Sequence, residues 1–334
     1  MAEALSAPAD PGPGRDRPAA KAAGRRGRLA FFLALMRARP SYAIGYGIVS
    51  GVVFLSIFAP WIAPFDPRTA NPMANLQPPG WPHLMGTDAT GMDVFSRVIH
   101  APRIDLTIAL IGTLISATVG STLGAIAGYY ETRRGLGSIA STFVMRSADV
   151  LQAFPVFVFA IAIVAVLGQG LQSIIIAVAF VNAPIYLRLM RSQVLSIRRM
   201  RYVEAAYIAG VSDTRILTRH VIPNAMAPVL AQLSVNIGWA ILLTAALSFI
   251  GAGVEAPTPE WGSMIAMGYQ NIITGQWWAS IFPVLALAVT VFGFSLVGSS
   301  VEVLADPARR RALAGELEIR RLAATAPAGQ RSRA

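Results

Sequence analysis

Glu204-Ala205-Ala206, Gly210 and Ile222-Pro223-Asn224 lie within one charged stretch, Arg188 to Ala227, of an otherwise apolar chain. Val203, Ala206 and Tyr207 share one face of a helix. Gly210 is placed to end that helix by adopting φ > 0. Ser212 or Asp213 can cap a second short helix running to about His220, and Pro223 then stops it. The chemistry of such an arrangement is mechanical. Two short helices meet at a glycine turn, and Ala205, Ala206 and Ala209 leave a smooth knob that fits a partner's groove. The same residues would also serve a hairpin that only connects two membrane spans.

Reactive side chains are otherwise scarce. Cysteine is absent, which excludes disulfides, Fe–S clusters and thiol nucleophiles. His83, His100 and His220 lie far apart and show no metal-ligand spacing. Lys21 is the single lysine and precedes Ala22, whereas a phosphate-binding P-loop needs Gly-Lys followed by Ser or Thr. No nucleophile–base pair emerges either. Neither enzymatic activity nor a resident cofactor is expected, and any ATP and Mg²⁺ must bind another chain.

The elements that hold the hairpin follow from composition. The 334 residues are 54% hydrophobic and 13% charged, with a mean hydropathy of +0.55. A soluble domain carries about 25% charged residues, so too little charge is present to cover a water-facing surface. The chain is an integral membrane protein, all-α, because only internally hydrogen-bonded helices or closed barrels cross lipid. A spanning helix needs roughly 20 apolar residues. Uncharged runs predict six: Tyr42–Ala63, Leu106–Tyr130, two within Val150–Leu187 divided at Gly168-Gln169-Gly170, Val229–Ile250, and Ser280–Val301.

Of the 28 Lys and Arg residues, 25 fall in segments on one side of those spans. Arg68, Arg97 and Arg103 alone fall on the other. The positive-inside rule then places both termini and the hairpin in the cytoplasm of a bacterial inner-membrane protein. The net charge of +11 is therefore topological rather than a nucleic-acid footprint. Residues 1–40 read as a disordered basic tail with a short interfacial helix at Leu29–Met36. Residues 41–105 hold the first span and an outer loop. Residues 106–303 form the core with the hairpin at about 197–225, and 304–334 form a second basic tail.

Within the spans, Gly120, Gly124 and Gly128 recur every four residues and allow close helix–helix packing. Asp149 can pair with Arg146 near the inner interface. Pro155, Pro184 and Pro283 should kink their helices. Trp277-Trp278 reads as an interfacial belt. Residues 261–275 are apolar but broken by Gly262, Gly268 and Gly275, a pattern for folding back against the membrane.

The sequence from Glu204-Ala205-Ala206 through Gly210 to His220-Val221-Ile222-Pro223 resembles the EAA loop of permeases in binding-protein-dependent ABC importers. The family's pattern ends in Ile-x-Leu-Pro. His220 and Ile222 depart from it in the manner of the peptide-importer branch. Gly86-Thr-Asp-Ala-Thr-Gly-Met-Asp93, Ala153-Phe-Pro155, Leu247-Ser-Phe-Ile-Gly251, Pro257-Thr-Pro-Glu260-Trp261-Gly262 and Asp306-Pro307 resemble further segments of that branch. Similarity covers about residues 40–308. It points to the C-type permease of dipeptide, oligopeptide and nickel importers.

The resemblance implies a second homologous permease, two ATPase subunits, and a periplasmic or lipid-anchored binding protein. It also implies coupling to the ATPase through Glu204, Ala205, Ala206, Gly210, His220, Ile222 and Pro223. Glu255 and Glu260, with Asp88 and Asp93, would then be available to dock the binding protein. An ion-gradient-driven transporter is the competing architecture. It would favour an inverted repeat and charges at mid-span, neither of which the sequence displays.

Overall fold

The computed structural model describes residues 31–131 and 136–305. The tail assignments for 1–30 and 306–334, including Asp306-Pro307, and the residues Arg133 and Arg134 lie outside them. Two units are distinguished, the described residues being 31–40 in the first and 41–131 with 136–305 in the second. In the first, the described residues form α1 over 31–38, which overlaps the expected interfacial helix.

In the second unit, α2 (Pro40–Ile62) is followed by α3 (Val94–Tyr130), α4 (Leu136–Ala153), α5 (Val156–Leu167) and α6 (Leu171–Ile197). The short helices α7 (Arg201–Ile208) and α8 (Asp213–Ile216) precede α9 (Ile222–Phe249), α10 (Trp261–Gly268) and α11 (Trp278–Ala305). Among the described residues there is no strand, only one isolated bridge between Thr87 and Asp93. Five helices are long and apolar enough to cross a membrane, and a sixth crossing arises if α4 and α5 count as one broken span.

A kink was expected at Pro155, and the structure carries it to a full break. α4 and α5 meet at 96°. The break falls at Phe154-Pro155, where Pro155 takes φ −56 and ψ 128 at the N-cap of α5. Proline cannot continue the preceding helix and pushes the residue before it toward extended backbone. Pro184 and Pro283, by contrast, lie inside α6 and α11, which run through them.

The central pair is α3 and α6. A Cβ on Gly120 would lie 2.3 Å from the Ala183 carbonyl oxygen. One on Gly124 would lie 2.3 Å from that of Leu187, and one on Gly128 would lie 2.9 Å from that of Arg191. The glycine face of α3 is thus pressed directly onto the α6 backbone, the arrangement small residues permit in lipid. Gly45 of α2 receives the Leu296 side chain, and Gly293 of α11 receives that of Ile48.

Two ion pairs close the end of the bundle nearest the hairpin. Arg191 donates to both Glu131 oxygens at 2.9 and 2.6 Å. Asp149 accepts from Arg188 at 2.7 Å rather than pairing with Arg146. Asp149 sits on α4 and Arg188 on α6, so this pair crosses between helices, which a sequence-neighbour argument misses.

With 37 residues, α3 is about 55 Å long against a hydrocarbon core of about 30 Å. Its first dozen residues therefore extend beyond the uncharged run that begins at Leu106. That extension and the loop before it form a cap at the end opposite the hairpin. Arg97, wholly buried, donates to the carbonyls of Pro67 (2.9 Å) and Pro257 (3.1 Å). It thereby ties two loop segments, one of them 160 residues further along the chain, to its own helix. Trp278 is not a lipid-facing belt residue. It is buried and its indole N–H donates to the Thr87 carbonyl at 3.0 Å.

Candidate functional site

The hairpin is built as two arms on a sealed inner face. α7 ends at Ile208, Ala209 is its C-cap, and Gly210 follows at φ +73. The Gly210 N–H bonds to the Tyr207 carbonyl at 3.0 Å, and the Val211 N–H bonds to that of Ala206 at 3.1 Å. This is the paired closure that a left-handed residue after a helix provides. Ala206 and Val211 pack beside the buried cluster beneath them. A Cβ on Gly210 would meet nothing within 4 Å, so this glycine is required by backbone conformation and presents open space to a partner.

Val203, Ile216, Leu217, Val221, Ala225 and Val229 are buried against Tyr129 of α3 and Tyr186, Met190 and Val194 of α6. The opposite face is open. Glu204, Ala205, Tyr207, Ile208 and Gly210 are exposed, Ile208 at 79%. Glu204 lies in the first turn of α7, where a carboxylate complements the positive end of the helix. Tyr207 therefore leaves the face it was expected to share with Val203, and with Ile208 gives the knob an apolar tip.

The second arm departs from expectation at its far end. Ser212 occupies the N-cap position of α8 without a side-chain cap bond. Asp213 is held instead by the Tyr129 hydroxyl, which donates to it at 2.9 Å. Beyond α8 the chain does not stop at Pro223. A π-helical turn spans Leu217–Val221, closed by the Ile222 N–H on the Leu217 carbonyl. Pro223 then sits in the first turn of α9, where its missing N–H is least costly. Asn224 donates its side-chain amide to the His220 carbonyl at 2.6 Å. Asp213 to Phe249 is thus one continuous rod of 37 residues. Pro223 and His220 mark its joint, not its end.

Between the arms and α3 lies a cavity of about 510 Å³ lined by Tyr129, Arg198, Arg199, Glu204 and Tyr207. Arg198 donates to the Tyr129 carbonyl at 2.7 Å and its guanidinium lies 5.3 Å from the centre of that ring. No sequence signal marks this cavity, because its wall is shared by α3, the α6–α7 turn and both hairpin arms.

At the opposite end the acidic residues separate into two kinds. Glu255 is exposed. Glu260 is wholly buried, and its oxygens accept the N–H groups of Gly262 and Ser263, each at 2.8 Å. Burial pushes its carboxyl above the usual range, with those two N–H bonds acting against the rise. Asp93 caps α3 through Ser96 (2.8 Å) and contacts His83 (2.9 Å). Asp88 accepts from Thr90 and Met92 and faces Arg97 at 3.7 Å. The expectation that Glu260 serves as a surface docking charge is therefore corrected, and Asp88 and Asp93 are likewise engaged internally. A carboxylate that caps a buried helix start is spent on that helix.

Among the described residues no cluster of His, Asp and Glu could hold a metal ion. A helical bundle of several spans, with an exposed hairpin continuous with its penultimate span, defines a multi-pass membrane protein. Comparison with known proteins bears directly on that class. Residues 120–311 match the model for the binding-protein-dependent transport system inner membrane component. Residues 35–79 match the N-terminal TM domain of oligopeptide transport permease C.

The dipeptide transport system permease protein DppC of Alkalihalophilus pseudofirmus is 38% identical over 264 residues, 79% of this chain and 84% of that protein. The di/tripeptide transport system permease protein DppC of Pseudomonas aeruginosa is 38% identical, covering 81% of this chain and 91% of its own length. The glutathione transport system permease protein GsiD of Pectobacterium atrosepticum is 34% identical, with 83% and 90% covered. An inward-facing structure of the MetNI methionine ABC transporter superposes with a TM-score of 0.52 at 17% identity. It covers 64% of this chain and 97% of its own, and shares the fold.

The chain belongs to the family of binding-protein-dependent transport system inner membrane components. It is a multi-pass inner-membrane permease of the ABC importer type, a class that works with ATPase and substrate-binding partners.

Proposed function

We propose that this chain forms, with a second homologous permease, the pathway for di- or oligopeptides delivered by a periplasmic or lipid-anchored binding protein. Two separate ATPase subunits bind ATP and Mg²⁺. This chain binds no cofactor, catalyses no reaction and keeps both termini in the cytoplasm. The peptide reading is supported by relatives whose names specify dipeptides and di/tripeptides.

The observation that carries the mechanism is the continuity of the second hairpin arm with α9. An ATPase that grips the exposed knob around Glu204, Ala205 and Gly210 moves a lever rather than a loop. Displacement of a rod is transmitted to the far side of the membrane as rigid-body motion. Glutathione, itself a small peptide, is a second reading favoured by the glutathione permease relative, and a nickel chelate is the further alternative within the same architecture.

The test is uptake of labelled dipeptide, longer peptide, glutathione and nickel in cells lacking the chain, restored with the natural protein or with Gly210→Asp. Peptide uptake is expected to return with the natural protein. Aspartate tolerates positive φ better than most residues, so Gly210→Asp should reach the membrane at normal levels. It places a side chain and a charge on the docking face and should lose uptake about tenfold, equivalent to ~1.4 kcal/mol of docking free energy. Full uptake by that variant would remove the coupling role of Gly210. Uptake of nickel or glutathione alone would keep the architecture and replace the substrate.

A further inference from the structure

We propose that Asp105 and Glu260 form a proton-binding site that fastens α10 to α3, one proton being shared between the two carboxyl groups. The inference concerns the cap opposite the hairpin and is independent of the substrate transported.

The first three N–H groups of α10 are taken by two acids from distant parts of the chain. The Trp261 N–H donates to Asp105 Oδ2 at 3.3 Å. Those of Gly262 and Ser263 donate to Glu260 Oε1 and Oε2, each at 2.8 Å. One helix start therefore draws both carboxyl groups into one buried site, on three consecutive backbone N–H groups. Both are buried, Asp105 at 1% exposure and Glu260 at 0%. Asp105 Oδ1 has no donor partner among the described residues. Ionised carboxylates only accept hydrogen bonds, so neither of these can satisfy the other unless one carries a proton. Two like charges in one buried site cannot both persist, and the site retains a proton instead.

Among the described residues no cation offers an alternative neutralisation. On α3 the nearest basic groups are Arg97, His100 and Arg103. Arg97 is directed to Asp88 and to the Pro67 and Pro257 carbonyls. His100 Nδ1 lies 2.8 Å from the Ser96 carbonyl, and Arg103 is exposed. α9 and α10 contain no titratable residue, and Glu302 is the only one on α11, near its opposite end. Glu255 of the preceding loop is exposed. The polar side chain that α9 adds nearby is Ser248, which is buried and carries no charge. A single negative charge is well placed here, against three N–H groups and the positive end of a helix. A second is not.

The proton thus acts as a clasp. With it, the pair is a hydrogen-bonded bridge between α3 and α10, and Trp261 and Met264 stay buried in the core. Without it, two charges face each other in a buried site, and α10 is driven from its seat. Burial already pushes Glu260 upward. The sign follows: the folded chain holds a proton that the unfolded chain has released. Stability is full at pH values below the ordinary carboxylate range and falls as pH rises through the folded titration.

Infrared difference spectroscopy of the full chain in lipid, with H/D exchange, tests the proton directly. A protonated-carboxyl carbonyl band is expected at neutral pH in the natural protein, and its absence overturns the proposal without any variant. The band is expected to vanish in both Asp105→Asn and Glu260→Gln, and its persistence in both equally overturns it. Thermal unfolding across pH supplies the second readout. The natural chain should lose about tenfold in its folding equilibrium per pH unit, in the titration window, relative to Asp105→Asn. That variant keeps an oxygen for Trp261 and offers an amide N–H to Glu260, so a purely structural role would leave the two slopes equal.

Discussion

At the scale of single residues, conformation and contact separate the glycines of this permease into two kinds. Gly210 has room for a side chain but a backbone that few residues adopt. Gly124 has an ordinary helical backbone but no room, since a Cβ would lie 2.3 Å from the Leu187 carbonyl oxygen. Their substitutions should therefore fail differently. Gly124→Val is expected to push α3 from α6 and cost about 1–3 kcal/mol, as overpacked cores do, so the amount of folded protein in the membrane should fall. Gly210→Asp should leave that amount unchanged and lower uptake. Thermal unfolding and membrane quantification of the two variants side by side distinguish the cases. Arg97 belongs to a third kind, a buried cation serving several loop carbonyls at once. Arg97→Lys retains the charge and loses the planar fork. The expected outcome is faster protease cleavage within residues 63–93, measured on the intact protein in lipid.

At the scale of elements, the hairpin and α9 act as one body. The π turn at Leu217–Val221 lets helical hydrogen bonding continue to Ile222 just before a proline that cannot donate. Irregular turns of this type recur at functional joints. Two glycines inserted between Val221 and Ile222 should break the rod while leaving the knob and the spans folded. ATP hydrolysis by the assembled complex is then expected to continue with uptake strongly reduced. Equal loss of both activities would show that the insertion had instead destroyed docking. The broken span α4–α5 is the other element with a defined joint, and its 96° bend is set by Pro155.

At the scale of the whole molecule, orientation is open to direct measurement because the chain has no cysteine. Single cysteines at Gln169 and at Gly210 lie at opposite ends of the bundle. A membrane-impermeant thiol reagent applied outside intact cells should label the first and spare the second, and the reverse pattern would invert the topology. Much of this architecture was legible in the sequence, because long apolar runs and basic segments report on lipid and water independently of what they pack against. Six uncharged stretches predicted the helices, and Gly210 predicted the turn, since a left-handed residue after a helix is a local requirement. What only the tertiary structure decided depends on distant partners. Asp149 chose Arg188 across two helices over its neighbour Arg146. Pro223 became a joint because α9 continues through it. Glu260, which reads as a loop charge, was drawn inside to cap α10 beside Asp105. The physical reason is common to all three. Hydropathy and backbone preference act within a few residues, whereas the partner of a buried charge or carbonyl is fixed only when separate helices close on one another.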